Sequence, residues 1–324
     1  MLKFRWTVAV LVAAAALASP VAVTAQDAAV SPSAIDSLED VVVTARRSGA
    51  PMWEVTRGDS TVLLVGGITG VPAATPWRPD ALEAATLRAD RVFSGMGVRA
   101  SFSDLFRVIW RSRSLARLPG DKTSADYLSP EWQARLDALE AQYGQDYSRK
   151  SFLMASGDLL SDRLRFNRDT TEDASDVVKR AARRGHIRVR SVDAGRGDEL
   201  IENLLNADPA TLVPCMQAAI VAVEAGPEAL IARGQAWTKF QVPAVLASPL
   251  QQAMGVCWPW GDPSLGPQLK AEWVKAVTSG LAEPGVTMAV VPLAVLAEPG
   301  GVLDQLEAEG LAVEGPEWKR GQAQ

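Results

Sequence analysis

The run Thr61-Val62-Leu63-Leu64-Val65 is β-branched and aliphatic without a polar break, and Gly66-Gly67 follows it directly. A strand with one wet face would alternate; this one does not, so it reads as a strand buried on both sides. Such a strand belongs inside a sheet covered by helices on both faces, which points to an α/β fold. Trp53 to Thr56 is a shorter apolar run, joined to the first by the turn chemistry of Arg57-Gly58-Asp59. Downstream, Pro76 and Pro79 precede a helix predicted over Asp80 to Ala89, with Leu82, Ala85 and Ala89 on one face. Ligands of open α/β sheets sit beyond the carboxyl ends of the strands, so the loop Gly66 to Gly70 is where a site is expected.

Past Gly97 the pattern turns helical. Ser103 to Arg113 spaces Phe106, Ile109 and Trp110 for one face, and Ser129-Pro130 is an N-cap followed by proline at the first helical position. Trp132, Leu136 and Leu139 then recur at helical spacing, as do Leu159, Leu160 and Leu164 within Phe152 to Phe166. Thr171 to Arg184 predicts a helix stopped by Gly185, and Ile187 to Val192 a strand ending at Asp193. A carboxylate at a strand end orients a ligand or caps the next helix. Helices over Pro209 to Ala225 and Pro227 to Ala236 complete the middle section. Val286 to Val291 is again a buried-type strand, followed by a loop over Pro292 to Gly301, a helix from Val302 to Ala308 and a last strand over Leu311 to Val313. The expected architecture is α/β: a mixed central sheet with N- and C-terminal strand–loop–helix units and a mainly helical middle insertion. The domain spans 52–318, with a tail over 319–324.

Residues 1–25 have the form of a secretory signal. Lys3 and Arg5 form a positive start, Val8 to Ala18 an apolar core, and Val23-Thr24-Ala25 a small-residue cleavage site before Gln26. The apolar core is shorter than the roughly 20 residues of a membrane span, so no transmembrane anchor is expected. Residues 26–51 read as a flexible linker. Within it, Leu38 to Arg47 (LEDVVVTARR) is similar to the TonB box of outer-membrane receptors. Val41 to Thr44 is an extended β-former, suited to adding to the sheet edge of an envelope protein or to pairing within its own domain. Removing the signal takes two bases and no acids, moving the net charge from −5 to −7. No Lys/Arg run tracks a phosphate backbone, which argues against nucleic acid as a partner.

Catalytic signatures are scarce. Gly66-Gly67-Ile68-Thr69-Gly70 lacks the Lys-Ser/Thr of a phosphate loop, and neither Val92-Phe93-Ser94-Gly95 nor Gly255-Val256-Cys257 is a nucleophile elbow. Cys215 and Cys257 in an exported chain favour a disulfide. A Cys–His pair would need His186, which precedes a strand and stands at the end opposite the expected site.

The Trp53 strand, the glycine loop Gly66-Gly67-Ile68-Thr69, Pro76-Trp77, Ala89-Asp90, Leu128-Ser129-Pro130-Glu131 and the closing Pro299-Gly300-Gly301 together resemble the TraB/GumN family, over about Met52 to Pro316. The resemblance implies metal-dependent hydrolysis, peptidase chemistry in animal relatives, through histidines after two strands and a nearby acid. Here Thr69 stands at the Gly-x-x-His histidine, Gly95 at the acid, and Pro292-Leu293-Ala294-Val295 in place of Gly-x-Gly-His. Leu269-Lys270 replace the Arg-Asn pair before Trp273, and only Asp193 keeps a carboxylate, where the family has glutamate. These substitutions predict a degenerate member, exported to the periplasm or the extracellular space: a binding or regulatory protein, of the periplasm in the leading reading, with no catalytic residues, no metal and no cofactor. Its ligand-cleft candidates are Gly66, Gly67, Thr69 and Asp193, for a peptide or small ligand. The alternatives are a divalent-metal hydrolase with non-standard ligands and an interaction module acting through Leu38 to Arg47.

Overall fold

The computed structural model describes residues 40–99 and 116–319. Strand β2, Ser60–Gly67, is buried along its length except at Gly67. It is covered on both faces, as its unbroken apolar run requires. A two-residue turn at Gly58-Asp59 returns it antiparallel to β1, Met52–Arg57, with Arg57 opposite Ser60. Gly58 takes a φ of 57°, the left-handed value that tight hairpin turns require. β3 (Arg91–Arg99), β4 (Arg188–Arg196) and β5 (Gly285–Pro292) complete the parallel part, and the short β6 (Val313–Glu314) pairs antiparallel with β1. The order across the sheet is β4-β3-β5-β2-β1-β6. The carboxyl ends of β2, β5, β3 and β4 therefore share one edge.

In chain order the helices begin with α1 over 40–46, then α2 (Pro79–Thr86), α3 (Pro130–Tyr143) and α4 (Phe152–Asp158), which runs into a π-turn at Leu159–Arg163. They continue with α5 (Ala174–Arg184), α6 (Gly197–Asn206), α7 (Val213–Thr238), α8 (Val242–Leu246), α9 (Pro249–Val256), α10 (Leu265–Gly280), α11 (Leu293–Ala297) and α12 (Val302–Ala308). The Gly67 side of β2 faces Ala174 of α5, and the Val62 side faces Gly280 of α10. A second apolar core lies among α3, α4, α7 and α9, built on Leu136, Phe152, Leu159, Met216 and Ile220. The middle insertion is thus a helical lobe with its own interior. α7 joins the two cores: Met216 and Ile220 belong to the helical one, Trp237 to the sheet.

α7 breaks at Gly226, where φ is 69° and Pro227 restarts the helix, matching the two segments expected from sequence. By length and hydropathy Pro209–Thr238 is able to cross a membrane, yet 39% of its apolar window is buried within the fold. Cys215 and Cys257 are bonded, their Cα atoms 4.6 Å apart. The helix expected over Ser103 to Arg113 and the signal at 1–25 lie outside the described residues.

Two expectations are corrected. Residues 40–46 form a helix rather than an extended, mobile strand. Val41, Val42 and Ala45 lie on one face of that helix and are buried in the sheet core, Asp40 pairs with Arg88 at 2.6 Å, and the Arg78 amide donates to the Ser48 carbonyl. Burial of one apolar face has outweighed the β-preference of three successive valines. Likewise Leu293–Ala297 is a helical turn where a loop was expected, because all five residues are buried against β2 and β5.

Candidate functional site

The chain leaves the sheet at Gly66 and Gly67, but the two glycines do different work. A Cβ on Gly66 would stand 2.6 Å from Leu293 Cδ1 and 3.0 Å from the Trp53 ring, so this glycine permits close packing and opens no cleft. Its carbonyl accepts from the Trp237 indole at 2.8 Å. Gly67 has only ordinary contacts and is half-buried beside the start of α5. Thr69 is exposed, and its carbonyl and that of Gly70 accept from Arg233 Nη2 at 2.5 and 3.0 Å. Gly70 has φ 66°, and a Cβ there would be 2.3 Å from the Phe166 carbonyl oxygen. The loop after β2 is thereby pressed against the segment after the π-turn. That contact is continued by Ala73 N–H to the Asp169 carbonyl at 2.8 Å and Thr171 N–H to the Val71 carbonyl at 2.9 Å.

Arg233 is the unusual group. It is 2% exposed, its Nε has no partner, and burial pulls its guanidinium down to about 10, with no carboxylate among the described residues to offset the cost. Arginine stays charged at neutral pH, so this is a fixed buried cation behind the Thr69–Gly70 loop. Its position is legible in outline: it falls between Leu230 and Trp237 on the buried face of α7, where a charge is out of place.

Beyond this loop a cavity of about 540 Å³ opens between Pro72–Ala74, the 163–170 segment and the broken region of α7. Its size suits a small molecule. Leu164, Phe166, Val223 and Leu230 form an apolar floor, while Arg163, Arg165 and Arg168 lie along its rim. Arg163 is engaged by Asp158 at 3.3 Å. A second recess of about 770 Å³ follows β5 beside Val256 and Glu298. Burial raises the Glu298 carboxyl, and Lys270 stands 3.6 Å from it.

The four cleft candidates do not form one group. None of them lines the first cavity: Gly66 is interior packing, Gly67 and Thr69 precede the Pro72–Ala74 wall in the chain, and Asp193 lies on edge strand β4 with β5 and β3 between it and β2. Three strand spacings separate Asp193 from β2, about 14 Å. Asp193 is exposed and accepts from the Gly195 amide at 2.9 Å. Of the positions at which the sequence resemblance implies metal ligands, Thr69 is exposed, Gly95 faces Lys179, and Val295 is buried at 2% exposure. A hydroxyl, a hydrogen and an isopropyl group do not make a zinc site, so the donor set at these positions does not fit the ion. Among the described residues no three His, Cys, Asp or Glu side chains are grouped to share a metal.

Close to the same edge, Ser94 and Ser175 share a 3.1 Å hydrogen bond, and Asp173 caps α5 by accepting from the Asp176 amide at 3.0 Å. Burial raises the Asp173 carboxyl against the opposing pull of that hydrogen bond. His186 lies at the amino end of β4, away from this edge, in line with expectation. Its pairing with a cysteine is ruled out by the Cys215–Cys257 bond.

The model of the TraB/PrgY/gumN family matches residues 51–315. No curated protein and no solved structure matches the chain.

Proposed function

The chain belongs to the TraB/PrgY/gumN family, and from that premise we propose that it is an exported, non-catalytic binding or regulatory protein of the periplasm. Its ligand occupies the cavity between Pro72–Ala74 and the break in α7. One contrast carries this reading. Thr69, Gly95 and Val295, where the family resemblance implies metal ligands, carry none, while the loop after β2 is held in place by a buried arginine and borders an open apolar cavity. A scaffold kept in shape around a cavity, without the groups that activate water, suits recognition rather than hydrolysis. The signal-like residues 1–25 and the Cys215–Cys257 bond both support an oxidising compartment outside the cytoplasm. The packed helix at 40–46 speaks against a free TonB-binding strand, since Val41 and Val42 would have to leave the core first.

Native mass spectrometry of the exported, untagged protein tests the reading. A bound small molecule near one per chain is expected, and Ala73→Trp, which fills the cavity from an exposed position, should release it. A wild-type protein that flies only at its bare mass, or a ligand retained by the filled variant, would sink the assignment.

A further inference from the structure

Resting on the binding-protein reading, we propose that the cavity beside the α7 break takes a single-chain amphiphile, with its apolar chain on the floor and an anionic head group at the arginine rim. The lining divides accordingly. Leu164, Phe166, Val223 and Leu230 offer the inner surface no hydrogen-bonding side chain, and Ile231 at the mouth is 42% exposed although large and apolar. Ile231 lines the cavity together with those four residues and so extends its apolar lining toward solvent.

The rim carries the charge. Arg165 and Arg168 line the cavity and form no ion pair among the described residues, unlike Arg163 on Asp158. Asp169 is the only carboxylate among the described residues of the lining. A guanidinium fork matches a carboxylate or phosphate head in geometry as well as sign.

Behind the loop that leads into the wall, Arg233 adds a third cation that forms no ion pair among the described residues. Its hydrogen bonds to the Thr69 and Gly70 carbonyls make it a positioning residue for that wall. In a protein of formal net charge −5, a local excess of positive charge around an apolar cavity is a specific feature and not the average surface.

The backbone supports a built site. Arg165 and Asp169 have φ of 56° and 54°, left-handed values that L side chains adopt at a cost. The rim segment between them is fixed by the Thr170–Pro72 bridge and by the close approach of Gly70 to Phe166. Left-handed non-glycine residues that the surroundings over-determine gather at ligand clamps.

Calorimetric titration with four ten-carbon probes, each kept below its aggregation concentration, tests the proposal. Decanoate and decyl phosphate represent the two anionic heads, decanol the neutral one, and decyltrimethylammonium the opposite charge. One or both anions should bind with an affinity that falls as salt is raised, and the two arms identify the head group. The Arg165→Gln/Arg168→Gln variant should bind on the order of ten-fold more weakly. Ile231→Asp, a change at a half-exposed position, should abolish binding. Decanol or the cation binding as tightly as the anions would overturn the anionic head while leaving a binding cavity in place. Anion binding unchanged in both variants would remove it from this cavity altogether. Failure of every probe would also defeat the amphiphile proposal, and the mass of the native protein would then decide the binding reading independently.

Discussion

The bond between Cys215 and Cys257 closes a loop of 42 residues that contains the α7 break, Arg233 and all of α8 and α9. Cross-linking a loop of that length removes about 13 cal/mol/K from the unfolded ensemble in the chain-entropy account, or about 4 kcal/mol at 25 °C. For a domain of this size each kcal/mol moves the midpoint by roughly 2 °C, so losing the bond lowers Tm by about 8 °C. Alanine at both positions is the cleaner substitution, because Cys215 is buried and a serine hydroxyl there would need its own partner. The assay is thermal unfolding followed by far-ultraviolet circular dichroism, comparing Cys215→Ala/Cys257→Ala with the wild type before and after reduction. Reduced wild type and the double variant should melt together, well below the oxidised protein. A double variant melting within about 2 °C of the oxidised wild type would refute the reasoning, since a constraint on so long a loop has to be felt. It would also withdraw one of the two supports for an oxidising compartment.

Other consequences follow from single positions. Gly70→Ala places a Cβ 2.3 Å from the Phe166 carbonyl oxygen at a φ of 66°, so a loss of about 2–3 kcal/mol in urea unfolding is expected, and an unchanged midpoint would contradict the packing described. Asp173→Asn should keep the α5 cap and be no less stable than wild type at pH 7, whereas Asp173→Ala should lose about 1 kcal/mol. The pH dependence has a definite sign. Burial raises the folded Asp173 carboxyl above its ordinary 3.8, so the stability it gives is full below pH 3.8 and lost as pH rises through its folded value. The asparagine variant should be flatter across that rise, and an identical pH profile would argue that the carboxyl is not desolvated. The intact mass of the exported protein should correspond to a chain beginning at Gln26; a mass retaining residues 1–25 would defeat the signal reading.

The sheet was legible because its information is local. An unbroken β-branched run closed by glycines suits a doubly covered strand, and β2 and β5 are such strands, paired side by side inside the sheet. Ser129-Pro130 and Gly226-Pro227 likewise mark helix starts by backbone chemistry that does not depend on neighbours. What stayed hidden depends on distant partners. Residues 40–46 carry a β-rich run and become a helix only because the sheet core accepts Val41, Val42 and Ala45 as one face. The cavity is assembled from residues 72, 166 and 230, which no sequence spacing connects. Gly66 reads as a loop glycine in sequence, yet its role is set by Leu293 and Trp53 from other parts of the chain. Arg233 left a trace, a charge on an apolar helix face, but the carbonyls it serves lie 164 and 163 residues away.

The central claim is recognition without metal-dependent hydrolysis, and a calorimetric titration of the untagged protein with zinc and with manganese tests it most directly. A tag-free protein matters because a histidine tag brings its own ligands. The account predicts no stoichiometric binding heat and no rise in Tm at saturating metal. Binding near one ion per chain contradicts it, because an ion held at 100 times its Kd adds about 2.7 kcal/mol of stability and would raise Tm by several degrees.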